Sequence, residues 1–159
     1  MNFLTEHGIG SYEELLDRCE AASASVARLK ADLRDTGAKI DELALKMKHV
    51  STYRQLKPIY NRYKASRDKE KFLRGHESEI ILFEAAAREC KRLGAVPLPV
   101  TERMQAEMDD LNVKKAALKA ELQKAQREEQ DYAAMRRNVE DFLSTPQQEQ
   151  ERKKNVELE

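Results

Sequence analysis

The side chains able to do chemistry are few and scattered. His7, His49 and His76 are the only histidines, and none has a second histidine or a carboxylate at i+4 in the pattern of a helical metal site. His76 has Glu77 and Glu79 beside it at a helix start, a setting that suits a solvated or capping imidazole. Cys19 and Cys90 stand alone, without a CxxC pair, so neither a disulfide framework nor a zinc site is expected. Both fall at apolar positions of helical patterns and read as small buried hydrophobes in a reducing cytoplasm. The carboxylate pairs Glu13-Glu14 and Asp109-Asp110 read as solvated charges near helix starts. No Gly-rich phosphate loop and no Ser/His/Asp set occurs. These residues point to a protein that is not an enzyme and takes no cofactor or metal.

A different chemistry is concentrated in the middle of the chain. Lys46, Lys48, Arg54, Lys57, Arg62, Lys64, Arg67, Lys69, Lys71 and Arg74 face only Asp68 and Glu70, so residues 46–74 carry 10 basic against 2 acidic side chains. The first 45 residues carry 5 against 9, and the whole chain sums to zero. The block is therefore a local asymmetry, of the kind that neutralises phosphates and releases their counterions. Tyr53, Tyr60, Tyr63 and Phe72 are interleaved with it. Aromatic faces can stack on unpaired bases. Helical spacing gives the tyrosines a second reading, as core of a helical cap, and the cations a second reading as a solvated face.

The elements that position this block are helices. Charged residues make up 36% of the chain while Gly and Pro number only 5 and 4, the composition of long helices or coiled coil. Gly8 and Gly10 close a short N-terminal turn of helix, and Ser11-x-x-Glu14 reads as a capping box. Leu15, Cys19, Ala22, Val26, Leu29, Leu33, Thr36, Ile40, Leu43, Met47 and Val50 then alternate spacings of four and three, a coiled-coil seam. Gly37 predicts a bend in it but not a stop. After Val50 the stripe changes phase, to Tyr53, Leu56, Tyr60 and Tyr63, so the helix turns to a different partner. Pro58 predicts a kink or break near Lys57. Ser66-Arg67-Asp68 opens a short segment that Arg74-Gly75 punctuates.

Residues 77–93 are the most apolar helix and are expected to be largely buried, with Gly94 ending it and Val96-Pro97-Leu98-Pro99 as an extended connector. Thr101 is the expected N-cap of the last helix. The frame of that helix is Met104, Met108, Leu111, Lys115, Leu118, Leu122, Ala125, Glu129, Tyr132, Arg136, Val139 and Leu143. Thr145-Pro146 is expected to stop it, leaving 146–159 as a polar, flexible tail. The fold class that follows is all-α: an elongated antiparallel coiled-coil hairpin with arms 11–50 and 101–143. Residues 51–100 form a small helical cap at its tip, within one domain, 1–145. The same seam would also support a homodimer in place of a monomer. The N-terminus has neither the basic start nor the apolar core of a signal peptide, and no apolar run reaches membrane-spanning length. A cytoplasmic protein that does not engage membranes is expected.

With these elements in order, Asn2-Phe3-Leu4-x-Glu6-His7-Gly8 leads to Tyr12-Glu13-Glu14-Leu15, then Tyr60-x-x-Tyr63-Lys64 and Lys71-Phe72-Leu73-x-x-His76. Glu79-Ile80-x-Leu82-x-Glu84-Ala85-Ala86 and Leu93-Gly94-x-x-x-Leu98-Pro99 follow. This succession resembles the C-terminal helical region of relaxases, the mobilisation nucleases of bacterial integrative conjugative elements, over about residues 2–143. In those proteins the nicking chemistry belongs to an N-terminal domain with a tyrosine nucleophile and a histidine cluster, and nothing here matches it. The resemblance implies a non-catalytic accessory module that binds DNA or a relaxosome component. Pro58 departs from the residue expected at its position in that family. Two other classes of function fit the chain. One is a free-standing mobile-element protein, starting at Met1, that binds and inhibits a host defence nuclease in the manner of an anti-CRISPR protein. The other is a structural coiled-coil spacer.

Overall fold

The computed structural model describes residues 8–157, and the side chains of 8–144, 152–154 and 156. The helical turn expected before Gly8, and His7 with it, lie outside the described residues. The described chain is all-α, in three helices: α1 (Tyr12–Ala65), α2 (Lys69–Arg92) and α3 (Thr101–Glu157). The chain comprises two compact units. One comprises Met1–Arg34 with Ala116–Glu159, the other Asp35–Lys115. The boundaries fall inside α1 and α3.

In the first unit the start of α1 is fixed by its own sequence. The Glu14 amide donates to Ser11 Oγ at 3.1 Å, while the Glu14 carboxylate accepts from the Gly10 amide at 2.9 Å. The capping box thus closes one residue further back than its usual form. Ile9, Leu15, Ala22, Tyr132 and Met135 make the core, with Tyr12, Cys19 and Val139 against it. Tyr12 Oη donates to Glu140 Oε1 at 2.7 Å, Cys19 Sγ to the Tyr132 carbonyl at 3.5 Å, and Ser23 Oγ to Glu129 Oε1 at 3.4 Å. Numbers rise along α1 as they fall along α3, so the two segments of this unit run antiparallel. The frame of α3 slips here. Met135 is buried where Arg136 was expected, and Arg136 and Leu143 are exposed. Arg136 turns outward because its guanidinium pairs with Glu140 at 2.9 Å.

In the second unit the seam continues as Leu43, Met47 and Val50, packed with Cys90, Ala95, Met104, Met108 and Leu111. Cys90 and Cys19 are both free thiols. α2 ends as the sequence requires. Gly94 sits at φ 71°, its amide donates to the Lys91 carbonyl at 3.3 Å, and the Ala95 amide donates to the Cys90 carbonyl at 2.8 Å. These are the two bonds of a Schellman motif, with Ala95 and Cys90 sharing the core.

Several expectations are corrected. α1 is unbroken through Pro58, and Gly37 does not stop it, as expected. Pro58 is exposed, so the Arg54 carbonyl it leaves without a helical partner lies toward solvent, where water can take the bond. α3 likewise runs through Pro146 to Glu157 in place of stopping, because the Gln-, Glu-, Lys- and Arg-rich segment beyond it has high helix propensity. The interruption expected at Arg74-Gly75 falls at His76, whose φ −136° and ψ 22° mark a kink within α2. α2 is not largely buried. Ile80, Phe83, Ala86 and Cys90 form its one buried face, while Ile81 and Leu82 are 54% and 55% exposed. Thr101 is not the N-cap of α3. The first amides, Arg103 and Met104, donate to the Val100 carbonyl, and the Thr101 hydroxyl is used elsewhere.

Candidate nucleic-acid interface

The candidate site lies within the second unit, at the turn between α1 and α2. The Ser66 amide donates to the Tyr63 carbonyl at 3.2 Å as α1 ends, and Asp68 caps α2 by accepting from the Lys71 amide at 3.1 Å. This short connection brings Arg62, Lys64, Arg67, Lys69, Lys71 and Arg74 around one bend, all exposed. Lys57 lies about two helical turns before it, also exposed. Arg74 reaches Glu70 only at 3.9 Å, on an open surface. Lys57, Arg62, Lys64, Arg67, Lys69 and Lys71 have no ion pair among the described residues.

The placement of these charges is uneven in cost. Arg62 and Lys64 in the last turn of α1 complement its negative end. Lys69 and Lys71 sit in the first turn of α2, where the helix already presents positive charge and only Asp68 and Glu70 offset it. Each such cation costs a few tenths of a kcal/mol up to about 1 kcal/mol. A bound anion would reverse that sign.

The structure separates three cations from the rest. Arg54 is a structural tie: one guanidinium nitrogen donates to Thr101 Oγ1 at 2.6 Å and another to the Pro99 carbonyl. It holds the connector before α3 and is not free for a ligand. Lys46 is half-buried and lines a shallow groove with Leu43, Leu98, Arg103, Met104 and Glu107. Lys48 is exposed but precedes Arg62 by about 20 Å along α1. Neither belongs to the cluster at the turn.

The aromatic residues are packed together and are not splayed. Tyr60 stacks on Phe83 with centroids 4.3 Å apart, and Tyr53 tilts against the same ring at 4.7 Å. The row continues from Tyr60 to Tyr63 at 6.0 Å, from Tyr63 to Phe72 at 6.2 Å, and from Phe72 to His76 at 4.5 Å. Phe83 is only 4% exposed, and the tyrosines are half-buried around it. The phase change after Val50 thus turns α1 toward α2, as the sequence indicated. Cations flank the row: Lys57 lies 5.0 Å from the Tyr53 ring centre and donates to its hydroxyl at 2.8 Å. Lys64 lies 5.2 Å from Tyr60, and Arg62 lies 5.7 Å from Phe72. The tyrosines offered as stacking platforms are therefore ring-on-ring packing. Phe83, the ring on which two of them rest, carried no sequence signal beyond an apolar helix position.

His76 is half-buried against Phe72; its Nδ1 is shielded and has no hydrogen-bond partner, with Glu79 Oε2 3.5 Å away. Among the described residues no three His, Cys, Asp or Glu side chains gather as a metal would need. No described helix is long and apolar enough to cross a membrane. Comparison with protein-family models, curated proteins and solved structures finds no match to this chain.

Proposed function

We propose that this chain is a non-catalytic helical module of the cytoplasm that binds DNA through the basic turn between α1 and α2. The observation that carries the reading is the group of exposed cations Lys57, Arg62, Lys64, Arg67, Lys69 and Lys71, without carboxylate partners among the described residues, two of them set against the dipole of α2. Cations held apart from acidic neighbours keep their full charge for an external polyanion. The resemblance to relaxase C-terminal regions supports DNA as that polyanion. It also makes a relaxosome protein the natural neighbour of the complex. The scaffold in this reading is an antiparallel coiled-coil hairpin with a helical cap, supported by the opposed course of α1 and α3 inside the first unit.

The test is a mobility shift against duplex DNA at several salt concentrations, comparing wild type with Lys57/Arg62/Lys64/Arg67→Ala. The proposal expects the substitution to abolish the shift at physiological salt. Equal retention by the variant would overturn it. Parallel capture from a host extract identifies the competing class: recovery of a nuclease by a protein that shifts no DNA supports the inhibitor reading.

A further inference from the structure

We infer that the basic turn takes duplex DNA by its phosphate backbone, without stacking on bases and with preference over single strands. The inference deepens the proposed function and rests on it. Single-strand binders combine cations with aromatic faces on which successive bases lie. Here the cations are present and the faces are used. Tyr60 lies on Phe83 at 26° between ring planes, with Lys64 over its ring. Tyr53 shares Phe83 and carries Lys57, and Phe72 is stacked on His76 with Arg62 over it. A base stacking on Tyr53 or Tyr60 would have to compete with Phe83 on the ring and with the lysine over it.

What remains is charge, and charge favours the denser polyanion. A duplex presents a phosphate about every 1.7 Å of its axis, a single strand about half that density. The cations also have the right disposition for a backbone. They lie on two helix ends and the loop joining them, exposed, and none is fixed by a carboxylate except Arg74. Nothing in the cluster offers an Asn, Gln or Arg held rigidly for a base edge. Arg54, the guanidinium of residues 46–74 held by hydrogen bonds, is occupied by Pro99 and Thr101. Binding should accordingly be weakly dependent on sequence.

The experiment is fluorescence anisotropy with a labelled duplex of mixed sequence and a labelled oligothymidine of the same length, each titrated over a range of salt. The inference expects the duplex to bind about tenfold tighter at low salt, with a logarithmic salt slope of about −0.9 per phosphate neutralised. Tyr60→Leu is expected to change both affinities by the same factor, whereas loss of a stacking residue would weaken the single strand alone by about fivefold or more. Because that substitution also removes a packing contact, intrinsic tyrosine fluorescence of the wild type is read as well. The chain has 5 tyrosines and no tryptophan, so quenching by oligothymidine would report stacked bases directly. Tighter single-strand binding, or such quenching, overturns the inference while leaving DNA binding standing. Failure of both probes to bind overturns the proposed function itself.

Discussion

Tyr60 lies on Phe83 with ring centres 4.3 Å apart, joining the end of α1 to the buried face of α2. This contact, with Tyr53 on the same phenyl ring, holds the basic turn in place. Phe83→Ala removes a buried ring that two tyrosines share and should cost about 3–5 kcal/mol. Urea unfolding followed by circular dichroism measures it. A loss under about 1 kcal/mol would mean that the rings do not form the core of this unit.

Arg54→Ala separates structure from binding. Its guanidinium ties α1 to Pro99 and Thr101, so the variant should lose about 1 kcal/mol of stability. Its DNA affinity should stay close to wild type at a salt concentration where Arg62/Lys64→Ala binds clearly more weakly. Equal losses of affinity in both variants would place Arg54 in the interface.

Gly94→Ala probes the end of α2. A Cβ there meets no atom within 4 Å, so crowding contributes nothing and the positive φ alone sets the cost. About 1–2 kcal/mol is expected from forcing alanine into the left-handed region. Gly37→Ala, inside α1 and equally uncrowded, should instead stabilise by about 0.5–1 kcal/mol. The two variants should shift the melting temperature in opposite directions; shifts of the same sign would contradict the helix boundaries described above.

Acid should weaken the first unit. The Tyr12 hydroxyl, and then Arg136, hold the Glu140 carboxyl below the usual glutamate range. The Gly10 amide, and then Arg18, do the same for Glu14. A carboxyl whose folded pKa is depressed contributes stability above its unfolded pKa and loses it as pH falls through the folded value. Stability should therefore decline on acidification through and below the ordinary glutamate range. Both groups are exposed, so the effect is modest and salt-sensitive. The acid limb of a melting-temperature profile should be shallower in Glu14→Gln/Glu140→Gln; an unchanged limb would show that these contacts do not persist in solution.

Much of this architecture is written in local periodicity. Every seam position from Leu15 to Val50 is buried or half-buried, because a strict alternation of four and three places those side chains on one stripe of any helix. The glycine stop at Gly94 and the turn toward α2 after Val50 were legible for the same reason. The prolines were not. Whether Pro58 and Pro146 break a helix depends on the packing and propensity of what surrounds them, which no dipeptide encodes. The site was half legible. Charge counting marks residues 46–74, but only the fold separates Arg54 and Lys46 from the cations at the turn. The pairing of Tyr60 with Phe83 spans residues far apart in sequence, so helical spacing could not decide between core and stacking platform.

The central claim is that DNA is held by the cations of the α1–α2 turn, and amine footprinting tests it most directly. The folded protein is acylated briefly with and without a saturating short duplex, and each lysine is quantified by mass spectrometry. Lys57, Lys64, Lys69 and Lys71 should be protected several-fold by the duplex, while Lys48, Lys119 and Lys124, all exposed, should react equally in both samples. Uniform protection of all seven, or protection of the second group alone, would contradict the account.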